Sequence, residues 1–399
     1  IHRDHGANSI GALVSPHSTV EELYLAGALM RGLGSDNIDY RLRNAEFGAA
    51  EGVRTLGTSI ASLSTLQRVL VVGSNLRKDH PLFALRVRQA VRYGAQLNVI
   101  TSPAAFSHAD AWAMPVANAV VTDAFAWAQT LADLAVAIAA EKGVPAPCAG
   151  TASAAVQAMA KSLLGGERKA LLLGNAAAHH GNASTLLALA NWIGEQTGAS
   201  VGYLTEAANT VGAQWVGAQP QTGGKHAGQM LAGGLKAAVL LNTEPEFDSA
   251  AGAAAAKALG QAEMVVTLSP FKANMAFSDV LLPIAPFTET SGSFVNAEGR
   301  LQSFHAVVKP LAETRPAWKV LRVLANLLEI PGVAFETSQD VLARATAKPL
   351  AASNAVRAEI RLAGPVSAPA VASIYQLDSI VRRAPSLQLT ADARQEVTA

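Results

Sequence analysis

Short apolar runs that stop abruptly at small polar residues recur along this chain, each followed by a helix-like stretch. They read RVLVVGSN (68–75), AQLNVITSP (95–103), RKALLLGN (168–175), KAAVLLNTE (236–244) and AEMVVTLSPF (262–271). Strands alternating with helical stretches of about 10–15 residues predict parallel sheets joined by right-handed crossovers, with helices on both faces of each sheet. In open α/β sheets ligands bind at the carboxyl ends of the strands. Here those ends are Gly73-Ser74-Asn75, Thr101-Ser102, Gly174-Asn175, Asn242-Thr243-Glu244 and Ser269. The competing explanation is local, since any strand-to-helix turn favours Gly, Asn or Ser.

At 399 residues the chain is too long for one ordinary core, which predicts two or three domains. A net charge of +1 gives no electrostatic case for nucleic acid or an anionic membrane. Cys148 is the single cysteine. It excludes an intrachain disulfide and an iron–sulfur cluster held by this chain's thiolates alone, and it suits a reducing cytoplasm. His179 and His180 are adjacent, which favours a structural or surface role over metal ligation. The most apolar long run, AWAQTLADLAVAIAAEKG, contains Asp133 and falls short of a membrane span, so it predicts a buried or half-buried helix. The chain starts at Ile1, and the expectation is a fragment of something longer.

Near the start, SPHSTVEELYLAGALMRGLG predicts a helix with Ser18 and Glu21 as a capping box and Gly34 past its end. The weakly patterned, glycine-rich segment 201–235 predicts a functional or wrapping loop. Its TGGKHAG superficially resembles a phosphate loop, but the glycine spacing is wrong and His226 stands where Ser or Thr is needed. No G-x-G-x-x-G follows a strand, and no G-x-S-x-G, H-E-x-x-H or zinc-spaced cysteine pair occurs. The stretch SDVLLPIAPFTETSGSFVNAEGRLQ (278–302) predicts a strand leaving its sheet and then a hairpin, with Asn296-Ala297-Glu298-Gly299 as its turn. Glu298 and Arg300 are expected to fix that turn and its contact with a neighbouring domain. A paired-carboxylate role for Glu289 and Glu298 is weighed against solvated turn residues, and the latter preferred. After 310 come one amphipathic helix, TRPAWKVLRVLANLLEIPG, and an Ala/Pro/Ser-rich tail.

Several of these stretches together, in this order, resemble one family. SPHSTVEELYLAGALMRGLGSDNIDYRLR, VLVVGSNLRKDHPLFALRVRQA, AANTVGAQWVGAQP, AAVLLNTEPEFD, the 278–302 stretch, PAWKVLRVLANLLE and LDSIVRRAPSLQLT are similar to segments of molybdopterin-oxidoreductase-like proteins. Within them the chain resembles the family of large peripheral-arm subunits of bacterial NADH:quinone oxidoreductase, the respiratory complex I. The resemblance implies a discontinuous α/β domain (1–47 and 165–310), an inserted Rossmann-like domain (48–150) and a helix-plus-tail region (311–399). It implies that [2Fe-2S] and [4Fe-4S] clusters belong to an amino-terminal region that nothing here matches.

Where cofactor-bearing relatives supply a metal ligand after N-x-D, the corresponding position falls near Ala45, which cannot ligate. Leu76 replaces the proline usual after Asn75, while Glu244 and Pro245 keep a pterin-nucleotide turn. The resemblance therefore implies a non-catalytic scaffold with no catalytic residue, metal or molybdopterin of its own. Gly73, Asn75, Glu244, Pro245, Asn296, Glu298, Gly299 and Arg300 would line a vestigial cleft. Its implied partners are other peripheral-arm subunits of complex I on the cytoplasmic side of the bacterial inner membrane, without nucleic acid and without direct membrane insertion. Two readings compete: a molybdopterin-dependent oxidoreductase using a non-thiolate ligand, and a nucleotide-binding module that depends on Asn75 or Glu244.

Overall fold

The computed structural model describes residues 1–48, 51–106, 112–356, 358–364 and 366–396; the last three residues of the expected tail lie outside them. The strands, in chain order, are β1 (Ile10–Val14), β2 (Ile38–Asp39), β3 (Arg68–Val72), β4 (Gln96–Thr101), β5 (Asn118–Val121), β6 (Lys169–Leu173), β7 (Ser200–Tyr203), β8 (Ala237–Leu241), β9 (Met264–Ser269), β10 (Val280–Pro283), β11 (Gly292–Val295) and β12 (Leu301–Phe304). They form two five-stranded sheets, ordered β10-β9-β8-β1-β2 and β5-β4-β3-β6-β7, and the hairpin β11-β12. Every pairing within the two larger sheets is parallel. The expected α/β class with parallel sheets is what the chain adopts. All five residues of β1 and of β6 are buried, as befits strands covered on both faces.

The chain divides into two units, Ile1–Arg43 with Ala207–Leu350 and Ile374–Ala399, and Asn44–Glu206 with Ala351–Ser373. This departs from the expected boundaries at 150, 165 and 311. β6 pairs with β3 from Arg68↔Lys169 to Val72↔Leu173, and β7 pairs with β6, so residues 165–206 complete the second sheet instead of joining the first. Nor does 311–399 stand apart. The helix Ala317–Leu327 buries Ala317, Trp318, Leu321 and Ala325 in the core of the first unit.

The core of the second unit is built around the helix Trp127–Lys142, whose Leu131, Ala132, Leu134, Ala135 and Ile138 are buried among Leu70, Val72, Leu171 and Leu173. A helix apolar on most of its faces belongs inside a core. Gly143, in the left-handed region, ends it. Among the described residues no helix is long and apolar enough to cross a membrane. In the first unit the helix Val20–Gly32 starts one residue later than the expected cap. Thr19 and Glu22 form the capping box, each bonding the other's backbone N–H. Ser18 instead accepts from Asn242, and Glu21 turns to the hairpin. Segment 201–235 is partly regular, with helices Thr210–Trp215 and Ala227–Leu231. His226 of TGGKHAG serves as the latter's cap.

Candidate functional site

Each sheet has a point where its crossovers part. In the first, β2 lies on one side of β1 while β8 and then β9 lie on the other. In the second, β4 and β5 lie on one side of β3 while β6 and β7 lie on the other. Loops leaving neighbouring strands in opposite directions open a crevice at the carboxyl edge, the usual ligand position in such sheets. At the first point, between the ends of β1 and β8, lies a cavity of about 230 Å³ lined by Ser15, Glu22, Asn242, Thr290, Phe294 and Asp378, among others.

The two units use the same turn there. After β3, Gly73 takes a positive φ of 65°, Ser74 Oγ donates to Asp79 at 2.7 Å, and the Asn75 N–H donates to the same carboxylate oxygen at 2.9 Å. After β8, Asn242 takes a φ of 52°, Thr243 Oγ1 donates to Asp248 at 3.2 Å, and the Glu244 N–H donates to the same oxygen at 2.7 Å. Asn75 and Glu244, both expected at a vestigial cleft, thus occupy equivalent positions in different units. Pro245 opens the short helix after Glu244. Asn75 accepts from the Lys78 N–H, three residues on, and donates to the Ala105 carbonyl.

Glu244 is engaged at long range. Arg383 donates to it through both terminal nitrogens, at 2.7 and 3.0 Å, and Arg382 adds a third bond at 3.2 Å. Arg382 also donates to Asp248 at 2.7 Å. The guanidinium groups lie over aromatic rings, Arg383 on Phe271 at 4.4 Å and Arg382 on Phe247 at 5.3 Å. Burial works to raise the Glu244 pKa, but the bonds from Arg383 and the charge of Arg382 outweigh it and hold the carboxyl below its ordinary 4.5. These arginines sit on the short helix Ser379–Arg382 and the residue after it, so segment 374–396 closes the strand ends of the first unit.

The hairpin buries its first strand, β11, and exposes its second, β12. Ser293 donates to Glu21 through backbone and hydroxyl, both at 2.9 Å, and the Val295 N–H donates to the fully buried Asn209. Gly292 lets the strand lie close to the helix cap, because a Cβ there would meet the Thr19 methyl. At the tip, Asn296 fixes the turn by accepting from the Glu298 and Arg300 N–H groups, and Gly299 takes a φ of 90°. Arg300 joins the turn through its backbone, whose N–H and carbonyl both bond Asn296, while its side chain is 72% exposed and meets Glu298 at 3.6 Å. Glu289 accepts from the Leu311 N–H, a loop contact rather than half of a carboxylate pair. Sequence reasoning missed Glu22, which burial pushes up to about 7 beside the neighbouring charge of Glu21, and Arg382-Arg383, whose partners are far away in sequence. The repeated pattern of a small residue, Ser or Thr, and an Asp five positions on, directly after a strand, was the signal available for the shared turn.

The strand ends of the second unit carry buried polar groups. His80 is nearly enclosed, and burial lowers its pKa to about 4 against the opposing pull of Glu206 and Asn175. His179 pairs with Glu206 at 3.2 Å. His180 is fully buried, bonded to the Ala124 carbonyl and the Asn182 N–H, and stacked on Trp127. Accepting that N–H at Nδ1 requires the proton on Nε2. The adjacent histidines are thus structural, and neither lies on the surface. Among the described residues no three His, Cys, Asp or Glu side chains gather in a way that could hold a metal ion.

The sequence pattern of the molybdopterin oxidoreductases matches residues 1–327. The chain belongs to that family. The alpha subunit of a Geobacter sulfurreducens NADPH-Fe(3+) oxidoreductase is 25% identical over 81% of this chain and 46% of its own length. A mitochondrial NADH-ubiquinone oxidoreductase 78 kDa subunit of Candida albicans is 43% identical over 53 residues, 13% of this chain and 7% of its own. This member of the family thus spans less than half the length of these curated relatives. In three dimensions it is similar to acetylene hydratase from Pelobacter acetylenicus, with a TM-score of 0.56 at 14% identity, covering 84% of this chain and 57% of the other. At that identity the likeness speaks for the fold alone.

Proposed function

We propose that this chain is the non-catalytic scaffold portion of a peripheral-arm subunit of an NADH:quinone oxidoreductase, supporting electron transfer carried by iron–sulfur clusters elsewhere in the subunit. The observation that carries this reading is Glu244, the pterin-turn carboxylate, locked by Arg382 and Arg383 of the same chain. Molybdopterin does not fit the residues present. Ala45, near the expected ligand position, offers only a methyl group, and its N–H is bonded to the His179 carbonyl. The adjacent Glu46 is taken by the N–H and hydroxyl of Ser184. No step is therefore assigned to a cofactor in this chain. The likeness to the Candida subunit, confined to 53 residues, supports the complex I setting. On this reading the partners are other peripheral-arm subunits, at the cytoplasmic face of a bacterial inner membrane.

Metal and pterin analysis of the natural protein, purified with whatever co-purifies, tests the proposal. The expected result is molybdenum and tungsten far below one per chain, together with iron–sulfur-bearing partners. Stoichiometric molybdenum with bound pterin would overturn it in favour of a molybdopterin-dependent oxidoreductase.

A further inference from the structure

Residues 374–396 return to the first unit after an excursion, 351–373, that belongs to the second. Their contacts with the strand ends are dominated by charge: Arg382 and Arg383 against Glu244 and Asp248, with Asp378 lining the cavity 3.9 Å from His17. Apolar anchoring is thin: Ala393 is buried, but Ile380, Leu387 and Leu389 are 41%, 41% and 63% exposed. The lock is also imperfect. The Arg382 side chain is 7% exposed, and its Nε is buried with no hydrogen-bond partner. A buried donor left unmade works against the closed arrangement. A segment held by a few charge contacts and little apolar area belongs to the low-stability end of local opening.

The receptor side is better formed than the strap it holds. Glu244 accepts two parallel N–H bonds from one planar group, and the Phe271 ring lies against that group's face. A carboxylate with an aromatic wall recognises a flat fork of N–H donors and a delocalised positive charge. Guanidinium and amidinium compounds have that chemistry, and Arg383 supplies it from within.

We propose that residues 374–396 form a liftable strap, locked by Arg382 and Arg383, and that Glu244 with Phe271 is a receptor for a guanidinium- or amidinium-bearing ligand when the strap is raised. The inference rests on the reading that Glu244 is not engaged with molybdopterin. The metal analysis tests that reading separately, and its failure would leave the exchange result below unaffected.

The experiment compares the full chain with its Arg382→Gln/Arg383→Gln variant. Hydrogen exchange is followed at the Ile380, Val381 and Arg382 amides, which donate to Asp378 in the closed strap. These amides should exchange at least about tenfold faster in the variant, while the β8 amides keep their protection, which separates local opening from unfolding. Benzamidine, titrated by calorimetry, should bind the variant saturably and the parent chain at least about tenfold more weakly, because in the parent it competes with Arg383. Adding Glu244→Gln to the variant should abolish that binding. Unchanged exchange at 380–382 would overturn the strap. An opened strap without benzamidine binding, or binding that survives Glu244→Gln, would overturn the receptor.

Discussion

Replacing Glu22 by Gln should stabilise the first unit in alkali and leave it unchanged in mild acid. Glu22 sits at the first turn of the helix Val20–Gly32, where the helix dipole favours a negative charge. Burial overrides that preference and, with the charge of Glu21 beside it, pushes the carboxyl from 4.5 up to about 7, against the bonds from Thr19. The other charged or titratable groups lining its cavity are His17, Asp248 and Asp378. Between pH 4.5 and 7 the folded chain keeps a proton that the unfolded chain has released, so stability falls as pH rises through that window and levels off above it. A displacement of this size is worth roughly 3 kcal/mol. Gln keeps an acceptor for the Thr19 N–H and has no charge to desolvate. Native-state hydrogen exchange at the Leu23 to Leu29 amides reads the first unit alone. The variant should match the parent at pH 4.5 and exceed it by up to roughly 3 kcal/mol at pH 8, with a residual slope from Glu21, whose pKa burial also raises. A difference that is the same at both pH values, or a loss at pH 8, would refute the reasoning.

The second unit should show the opposite slope. His80, lowered to about 4, resists protonation that the unfolded chain accepts near 6.5, so stability falls as pH drops from 6.5 to 4, by roughly 3 kcal/mol, and exchange of β3 amides in the parent and in His80→Gln checks it. Glu244 is depressed, so its contribution is present above pH 4.5 and lost as pH falls below that; the protection factor of the Ile380 amide should drop in acid more in the parent than in Glu244→Gln. Asn296→Ala should cost about 1–2 kcal/mol by freeing the turn, whereas Arg300→Ala should stay within about 0.5 kcal/mol, as thermal melts would report. Gly292→Ala should cost about 1–3 kcal/mol by pushing the hairpin off Thr19, read the same way.

The fold class was legible because strands buried on both faces appear as unbroken apolar runs, as in Val69–Val72 and Ala170–Leu173. Strand order was not. Nothing local in KALLL says that it pairs with RVLVV and not with AAVLL, and the misplaced boundary at 165 follows from that. The helix cap was displaced by one residue because Ser18 and Thr19 are both good caps, and Glu21 and Glu22 both acceptable partners. The demands of Asn242 for Ser18 and of Ser293 for Glu21 separate them. Asn75 and Glu244 were legible as turn residues, but their engagement was not. The Arg383 that holds Glu244 lies in a tail whose composition resembles disordered chain, and the contact is long-range.

The register of β1 has a consequence for synthesis. Ile10 to Val14 pair with Ala237 to Leu241, so β1 is made long before β8, the central strand that pairs along its whole length, exists. At about 5–20 residues per second, the ribosome needs on the order of ten seconds or more to deliver the second unit in between. Through that interval an apolar strand and the helix behind it wait on the nascent chain, while the second unit has most of what it needs to fold. The two arginines that close the first unit come after all of its strands, so the order of manufacture is also the order of closure.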